Sequence, residues 1–101
     1  EEEIDKVESV LIPEKTGINS LYPNPFNPTL NISFSIKEKG EVFIAIYNAV
    51  GKKVRVLSSE NYFAAGSHSL NWDASGQPSG LYFIKVETDN FSEIKKAILV
   101  K

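Results

Sequence analysis

The stretch Leu21-Tyr22-Pro23-Asn24-Pro25-Phe26-Asn27-Pro28 decides how this chain is organised. Each proline fixes its own φ, removes a backbone donor and disfavours a helical conformation in the residue before it. The stretch therefore cannot form a helix or pair fully as a central strand. We expect an extended proline segment, residues 21–28, whose two aromatic rings, Tyr22 and Phe26, are held against the rest of the fold. Since a regular β pattern begins directly after it, the segment marks the start of the folded module.

The sequence before the proline segment, residues 1–20, is polar and acidic with scattered apolar residues. Residues 2–11 can form a short helix, because three of their apolar residues then share one face. We favour the alternative, a linker or pre-domain segment, and assign residues 21–101 to a single β-sandwich domain. The acidic start without methionine is typical of a piece of a longer protein, with any signal peptide and any enzyme upstream.

After the proline segment the sequence has the pattern of β-strands. Residues 30–36 alternate strictly between apolar and small polar side chains, which places Leu30, Ile32 and Phe34 on one face. Short strands separated by turns, with no convincing helix, predict an all-β fold, an immunoglobulin-like antiparallel β-sandwich of about seven strands. The predicted core consists of Phe34, Ile44, Ile46, Trp72, Tyr82, Ile84 and Ile98.

Two turns are predicted from their residue types. Asn48-Ala49-Val50-Gly51 fits a type I turn, in which the glycine can also take the left-handed position that a bulged hairpin needs. Asp89-Asn90 is typical of a two-residue hairpin, because both residues tolerate positive φ.

Composition excludes several classes of function. The net charge of -2 argues against nucleic-acid binding, which needs a clustered basic face. The absence of cysteine excludes a disulfide, a thiolate zinc site and a cysteine nucleophile. No apolar run approaches the roughly 18 residues that a membrane span needs.

We find no arrangement of residues that predicts catalysis. His68, the one histidine, lies in a predicted strand without the turn that presents a nucleophilic serine, so it is expected at the rim of the core. No spaced acidic loop predicts a metal site, and no glycine-rich loop predicts a phosphate. The sequence thus predicts a module that is not an enzyme, with no cofactor and no metal.

Two surfaces can bind partners instead. Phe43, Tyr47 and Phe83 lie on strand faces opposite the predicted core, and their rings can stack on sugars or on a partner protein. A carbohydrate-binding function needs an exposed aromatic platform from Phe43, Tyr47, Phe83 or Trp72. The alternative is that other parts of the protein cover them. The last strand ends the chain, and such an edge can add to another sheet or form a weak homodimer.

These pieces together resemble a known family, the type A C-terminal sorting domain of type IX secretion system cargo. They are also similar to the immunoglobulin-like domain of flagellar hook-capping proteins. The resemblance covers residues 21–101 in the right order. It is carried by Tyr22, Pro23, Asn24, Pro25, Phe26, Asn27 and Pro28, by Gly51, Gly66, Trp72, Asp73, Gly80 and Tyr82, and by the closing residues Lys95, Lys96, Ala97, Ile98, Leu99, Val100 and Lys101.

The resemblance implies a non-catalytic β-sandwich that directs an attached cargo protein from the periplasm to the cell surface or the medium. It implies recognition by the outer-membrane translocon, concentrated in residues 95–101, and removal by a sortase-like protease that cuts within residues 1–20. The alternative function is a carbohydrate-binding or adhesion module appended to a secreted enzyme.

Overall fold

The computed structural model describes residues 15–57 and 62–101. Within these residues the chain forms nine strands and no helix. They are β1 (Gly17–Tyr22), β2 (Thr29–Ile36), β3 (Gly40–Glu41), β4 (Phe43–Asn48), β5 (Lys53–Val56), β6 (Tyr62–Phe63), β7 (Gly66–Asp73), β8 (Gly80–Thr88) and β9 (Phe91–Leu99). The described residues include no helix long and apolar enough to cross a membrane. The short helix considered for residues 2–11 lies outside the described residues.

The strands form two antiparallel sheets that face each other. One sheet has the order β1-β2-β7 and the other β5-β4-β8-β9, while β3 and β6 pair as a short ribbon. The predicted all-β antiparallel sandwich is therefore confirmed. The count of about seven strands is too low, because the described residues form nine, of which β3 and β6 have only two residues each.

Alternation along the strands builds one core between the two sheets. Leu30, Ile32 and Phe34 of β2 are buried on one side, and Ile44, Ile46, Tyr82 and Ile84 are buried from the other. Since side chains of a strand alternate between its faces, this is what the period-two pattern predicts. All the predicted core residues except Ile98 are buried.

The assignment of Ile98 to the core is wrong, because its side chain is 45% exposed. Its neighbours Ala97 and Leu99 are buried instead and pair across the sheet with Tyr82 and Gly80. The end of strand β9 therefore packs Ala97 and Leu99 into the core, and the side chain of Ile98 points away from the core.

Both predicted turns form. The side-chain oxygen of Asn48 accepts the N–H groups of Val50 and Lys52 at 3.1 and 3.0 Å, and Gly51 has a φ of 86°. The hairpin before β9 has two residues, since Thr88 pairs with Phe91. No non-glycine residue in the described ranges has a positive φ, so this hairpin does not use the left-handed conformation that we invoked for it.

We expect Asn48→Ala to lower the free energy of unfolding by about 1 kcal/mol, because two backbone N–H groups of the turn lose their acceptor. Chemical denaturation monitored by tryptophan fluorescence measures the change. Ala49→Ser is the control, because Ala49 is an exposed residue of the same turn. Equal stability of the two variants would contradict this role for Asn48.

The C-terminal strand and its cover as a candidate recognition surface

The C-terminal segment, residues 95–101, completes the edge of the four-stranded sheet. Ala97 and Leu99 are each 1% exposed and anchor it to the core. On the opposite face, Lys96 is exposed, Ile98 is 45% exposed and Val100 is 49% exposed. The segment is thus divided into a buried anchor and an outward row of side chains. We call Lys96, Ile98 and Val100 the outward row.

The proline segment covers the free edge of this part of β9. The N–H of Phe26 donates to the carbonyl of Ile98 at 2.8 Å, and the N–H of Val100 donates to the carbonyl of Phe26 at 3.0 Å. The side chain of Asn24 donates to the carbonyl of Lys96 at 3.2 Å and accepts the N–H of Ile98 at 3.0 Å. Phe26 and Leu99 accordingly form a parallel β-bridge. The main-chain edge that the sequence predicts to be open is therefore already paired from the carbonyl of Lys96 to the N–H of Val100.

Phe26 is the anchor of the proline segment. Its side chain is 1% exposed, and its ring lies 5.6 Å from that of Trp72. Trp72 in turn contacts the ring of Tyr82 edge-on at 5.2 Å. These three residues come from separate parts of the sequence and form one aromatic cluster beside Leu99. The expectation that Phe26 packs onto the fold is confirmed.

The same expectation for Tyr22 is wrong, because Tyr22 is 71% exposed. Tyr22 pairs with Asn31, whose side chain lies on the outer side of β2. The register of β1 therefore turns its ring to solvent.

Tyr82 is held at both ends of its side chain. Its ring is buried in the aromatic cluster, and its hydroxyl donates to the carbonyl of Pro78 at 2.6 Å. Burial raises the pKa of Tyr82 above its usual value, so the phenol stays protonated and remains a donor. A tyrosine that bonds to the backbone a few residues upstream is also a feature of immunoglobulin-like sandwiches.

The chain end is tied to the loop between β7 and β8. The N–H of Lys101 donates to the hydroxyl of Ser79 at 3.1 Å, and its ammonium group donates to the carbonyl of Ser75 at 2.6 Å. Sequence reasoning missed these contacts and the role of the Asn24 side chain. The partners lie 22 to 74 residues apart in sequence, so no local pattern indicates them.

Asp73 shapes the loop that receives Lys101. Its carboxylate accepts hydrogen bonds from the hydroxyl and from the N–H of Ser75. These bonds lower the pKa of Asp73, since they favour the charged form. Asp73 thus serves as a loop cap, and the predicted motif residue has a structural function here.

Because the pKa of Asp73 is lower in the folded state than in the unfolded state, its contribution to stability is present above about pH 4 and lost as the pH falls further. We therefore expect the difference in Tm between the wild type and Asp73→Asn to shrink between pH 5 and pH 2. Thermal unfolding followed by circular dichroism measures it. A difference that stays constant over this range would show that the charge of Asp73 is not involved.

The predicted motif glycines do not all lie near this surface. Gly80 pairs with Leu99 beside the chain end, and Gly51 lies in the turn that follows β4. Gly66 pairs with Ile36 at the far end of β2. The motif residues therefore do not form a single site, and only those around the proline segment and Tyr82 surround the C-terminal segment.

His68 lies at the rim of the core, as expected. Its ring stacks on that of Phe34 at 5.5 Å and meets that of Phe63 edge-on at 5.1 Å. Its Nε2 atom is 2.7 Å from the carbonyl oxygen of Ala64, which makes it the hydrogen-bond donor. Over residues 15–57 and 62–101, no three histidine or acidic side chains come close enough together to hold a metal ion.

The aromatic platform proposed for sugar binding lacks its largest ring. Phe43, Tyr47 and Phe83 do face away from the core, but Phe83 and Tyr47 are only partly exposed. Trp72 is 2% exposed, because it pairs with Leu30 and points inward. An exposed platform on this face would therefore consist of Phe43, Tyr47 and Phe83 without Trp72.

Comparison with known proteins identifies the family of the chain. None of the curated proteins matches the chain. The family described as the secretion system C-terminal sorting domain matches residues 20–101, which include the proline segment, both sheets and the C-terminal segment. The chain therefore belongs to the family of C-terminal sorting domains, the sorting signals that direct cargo proteins through type IX secretion.

Proposed function

We propose that the type IX secretion machinery recognises this domain through the outward row, Lys96, Ile98 and Val100. The observation that supports this most strongly is the exposure of these side chains at the end of a strand whose neighbours are buried. Ile98 and Val100 are each nearly half exposed, while Ala97 and Leu99 are each 1% exposed. Ile98 and Val100 follow each other on one face of the strand, so their exposed side chains adjoin, and contiguous apolar surface is what marks interaction sites.

Recognition by side chains follows from the way the edge is closed. An open edge strand offers a row of main-chain donors and acceptors to a receptor. Here Asn24 and Phe26 already occupy these groups between Lys96 and Val100. The surface that a receptor meets is therefore preformed. Binding then does not carry the entropy cost of ordering a flexible tail.

The partners and the route follow from the family. A sorting domain acts on the protein attached to it and interacts with the secretion machinery, and the attached protein is exported to the cell surface or secreted. The finer steps are proposals: passage through the periplasm, recognition by the outer-membrane translocon and cleavage by a sortase-like protease within residues 1–20. The weak homodimer expected from the sequence would have to use the part of β9 before Lys96.

We assign no catalytic role to the domain. The family is a non-catalytic sorting signal. His68 is held between two aromatic rings and bonded to a backbone carbonyl, so its ring is used in packing. The hydroxyl of Ser75 and the carboxylate of Asp73 are bonded to each other within a loop.

Fusion to a reporter tests this function. A periplasmic reporter carrying residues 1–101 at its C-terminus is expressed in a bacterium with a type IX secretion system and in a strain without it. We expect most of the reporter on the surface or in the medium in the first strain, and in the periplasm in the second. Equal retention in both strains would contradict a sorting role for this chain.

A further inference from the structure

The part of β9 before the C-terminal segment has an edge that the proline segment does not cover. Both main-chain groups of Ile98 point away from β8, since they bond to Asn24 and Phe26. The pairing of β8 with β9 has no register shift, and main-chain groups alternate sides along a strand. The same alternation therefore directs outward the main-chain N–H and carbonyl groups of Ser92 and Ile94 and the N–H of Lys96. None of these groups has a partner among the described residues.

An open groove lies along this free edge. It has a volume of about 470 Å³ and is lined by Ser20, Leu21, Asn24, Phe83, Ile94, Lys95 and Lys96. Leu21, Phe83 and Ile94 make part of its wall apolar, and Ile94 is 55% exposed. A strand laid along β9 would project alternate side chains to the same side, and one of them would lie in this groove.

Charge indicates which strand fits. Lys95 and Lys96 are exposed beside the groove, and neither forms an ion pair within the described part of the chain. The nearby carboxylate of Glu93 is engaged, since it accepts the N–H of Ile18 at 2.8 Å. Two lysines and one carboxylate leave the free edge with a net positive charge. A second copy of the domain would bring two more lysines to this edge, whereas an acidic strand would compensate both.

We propose that residues 92–96 of β9 and the adjoining groove bind an extended acidic segment of a partner protein, which adds as a short fifth strand to the sheet. The length of this site is limited at both ends. The hairpin at Asp89 and Asn90 lies before it, and the side chain of Asn24 closes it at the carbonyl of Lys96. The bound segment is thus about five residues long, with an apolar side chain between two carboxylates.

This site goes beyond the proposed function, because it uses main-chain groups and a groove, whereas the outward row offers side chains. Lys96 belongs to both surfaces, but Ile98 and Val100 lie further along the strand and outside the groove. The two fail independently. Export can depend on Ile98 and Val100 with no peptide bound at residues 92–96, and a peptide can bind there with no effect on export.

A peptide titration tests the proposal on the full chain. The probe is acetyl-Thr-Glu-Val-Glu-Thr-amide, added to the ¹⁵N-labelled protein and followed by NMR. We expect saturable shifts at Ile94 and Lys96 and slower hydrogen exchange of their amides. The same peptide methylated on the valine nitrogen should bind about five- to tenfold more weakly, because it lacks one main-chain donor. Equal binding of both peptides, or no shift at millimolar peptide, would overturn the proposal.

Two protein variants locate the site. Ile94→Pro removes an outward N–H without removing a bond to β8, and it should weaken binding by at least the same factor. Lys95→Glu should weaken peptide binding, and the loss should be larger at low salt than at high salt because salt screens the charges. The control is Lys53→Glu, which should not weaken binding, since Lys53 is exposed on the opposite edge strand. Dimerisation of the protein alone that protects Ile94 would identify a second copy as the occupant and overturn the assignment to an acidic partner.

Discussion

Replacing Phe26 with alanine lowers the free energy of unfolding by about 3–5 kcal/mol, the usual effect of removing a buried aromatic ring. The ring is 1% exposed and packs against Trp72, so its removal leaves a cavity that the rigid strands around it cannot fill. For a domain of this size the corresponding decrease in Tm is at least about 10 °C. Thermal and urea unfolding measure both quantities.

Tyr22→Ala is the matched control for this variant. Tyr22 is the other aromatic residue of the proline segment, but it is 71% exposed, so its loss should change stability by no more than about 0.5 kcal/mol. We also expect faster hydrogen exchange at Val100 in Phe26→Ala, because its N–H bonds to the carbonyl of residue 26. Equal loss of stability in the two variants would show that Phe26 is not the anchor.

The sheets were predictable from sequence where the pattern alternates. In residues 30–35 apolar residues alternate with small polar ones, so the pattern shows which face enters the core, and Leu30, Ile32 and Phe34 were placed correctly. The turn at Asn48 was equally clear, because asparagine and glycine in these positions favour one conformation. Local chemistry determines such features, and a sequence displays it directly.

The sequence does not indicate which face of strand β9 is buried near its end. The run Ala97-Ile98-Leu99-Val100 is apolar at every position, so it has no alternation that could indicate which face is buried. The choice depends on contacts from far away. Phe26 bridges to Leu99 and the core accepts Leu99, which turns Ile98 outward. Sequence reasoning placed Ile98 in the core, and so it did not predict which side chains of the C-terminal segment are exposed for binding.

The pairing of the proline segment with the C-terminal segment also could not be predicted from the sequence. Proline and asparagine predicted an extended, stiff segment with its rings held against the fold. Phe26 does pack onto the fold, but residues 23–25 and 27–28 form bends, so the segment is not continuously extended. Nothing local indicates that Asn24 bonds to β9 more than 70 residues later. The amide side chain of Asn24 has both a donor and an acceptor, which lets it pair with the edge of β9 as a strand would.

The largest functional effect is expected from the outward row. The triple variant Lys96→Glu, Ile98→Thr and Val100→Thr changes the side chains that we assign to recognition, while the anchors Ala97 and Leu99 stay in place. Threonine favours strand conformation, so the fold and its Tm should change little. Export of a fused reporter should nevertheless fall severely, because the receptor then meets a polar surface of altered charge.

A matched variant separates this effect from a general change of surface. Lys53→Glu, Val56→Thr and Val50→Thr alter the same kinds of residue, all exposed, around β5 at the other edge of the sheet. This control should leave both the fold and export unchanged. Deleting residues 95–101 is a less informative experiment, because it also removes the buried Ala97 and Leu99.

The most direct measurement is the fraction of reporter that reaches the cell surface or the medium, determined for these two triple variants side by side with their Tm values. The account predicts folded protein in both, with the reporter retained inside the cell only when Lys96, Ile98 and Val100 are changed. Normal export of that folded variant would contradict recognition through the outward row.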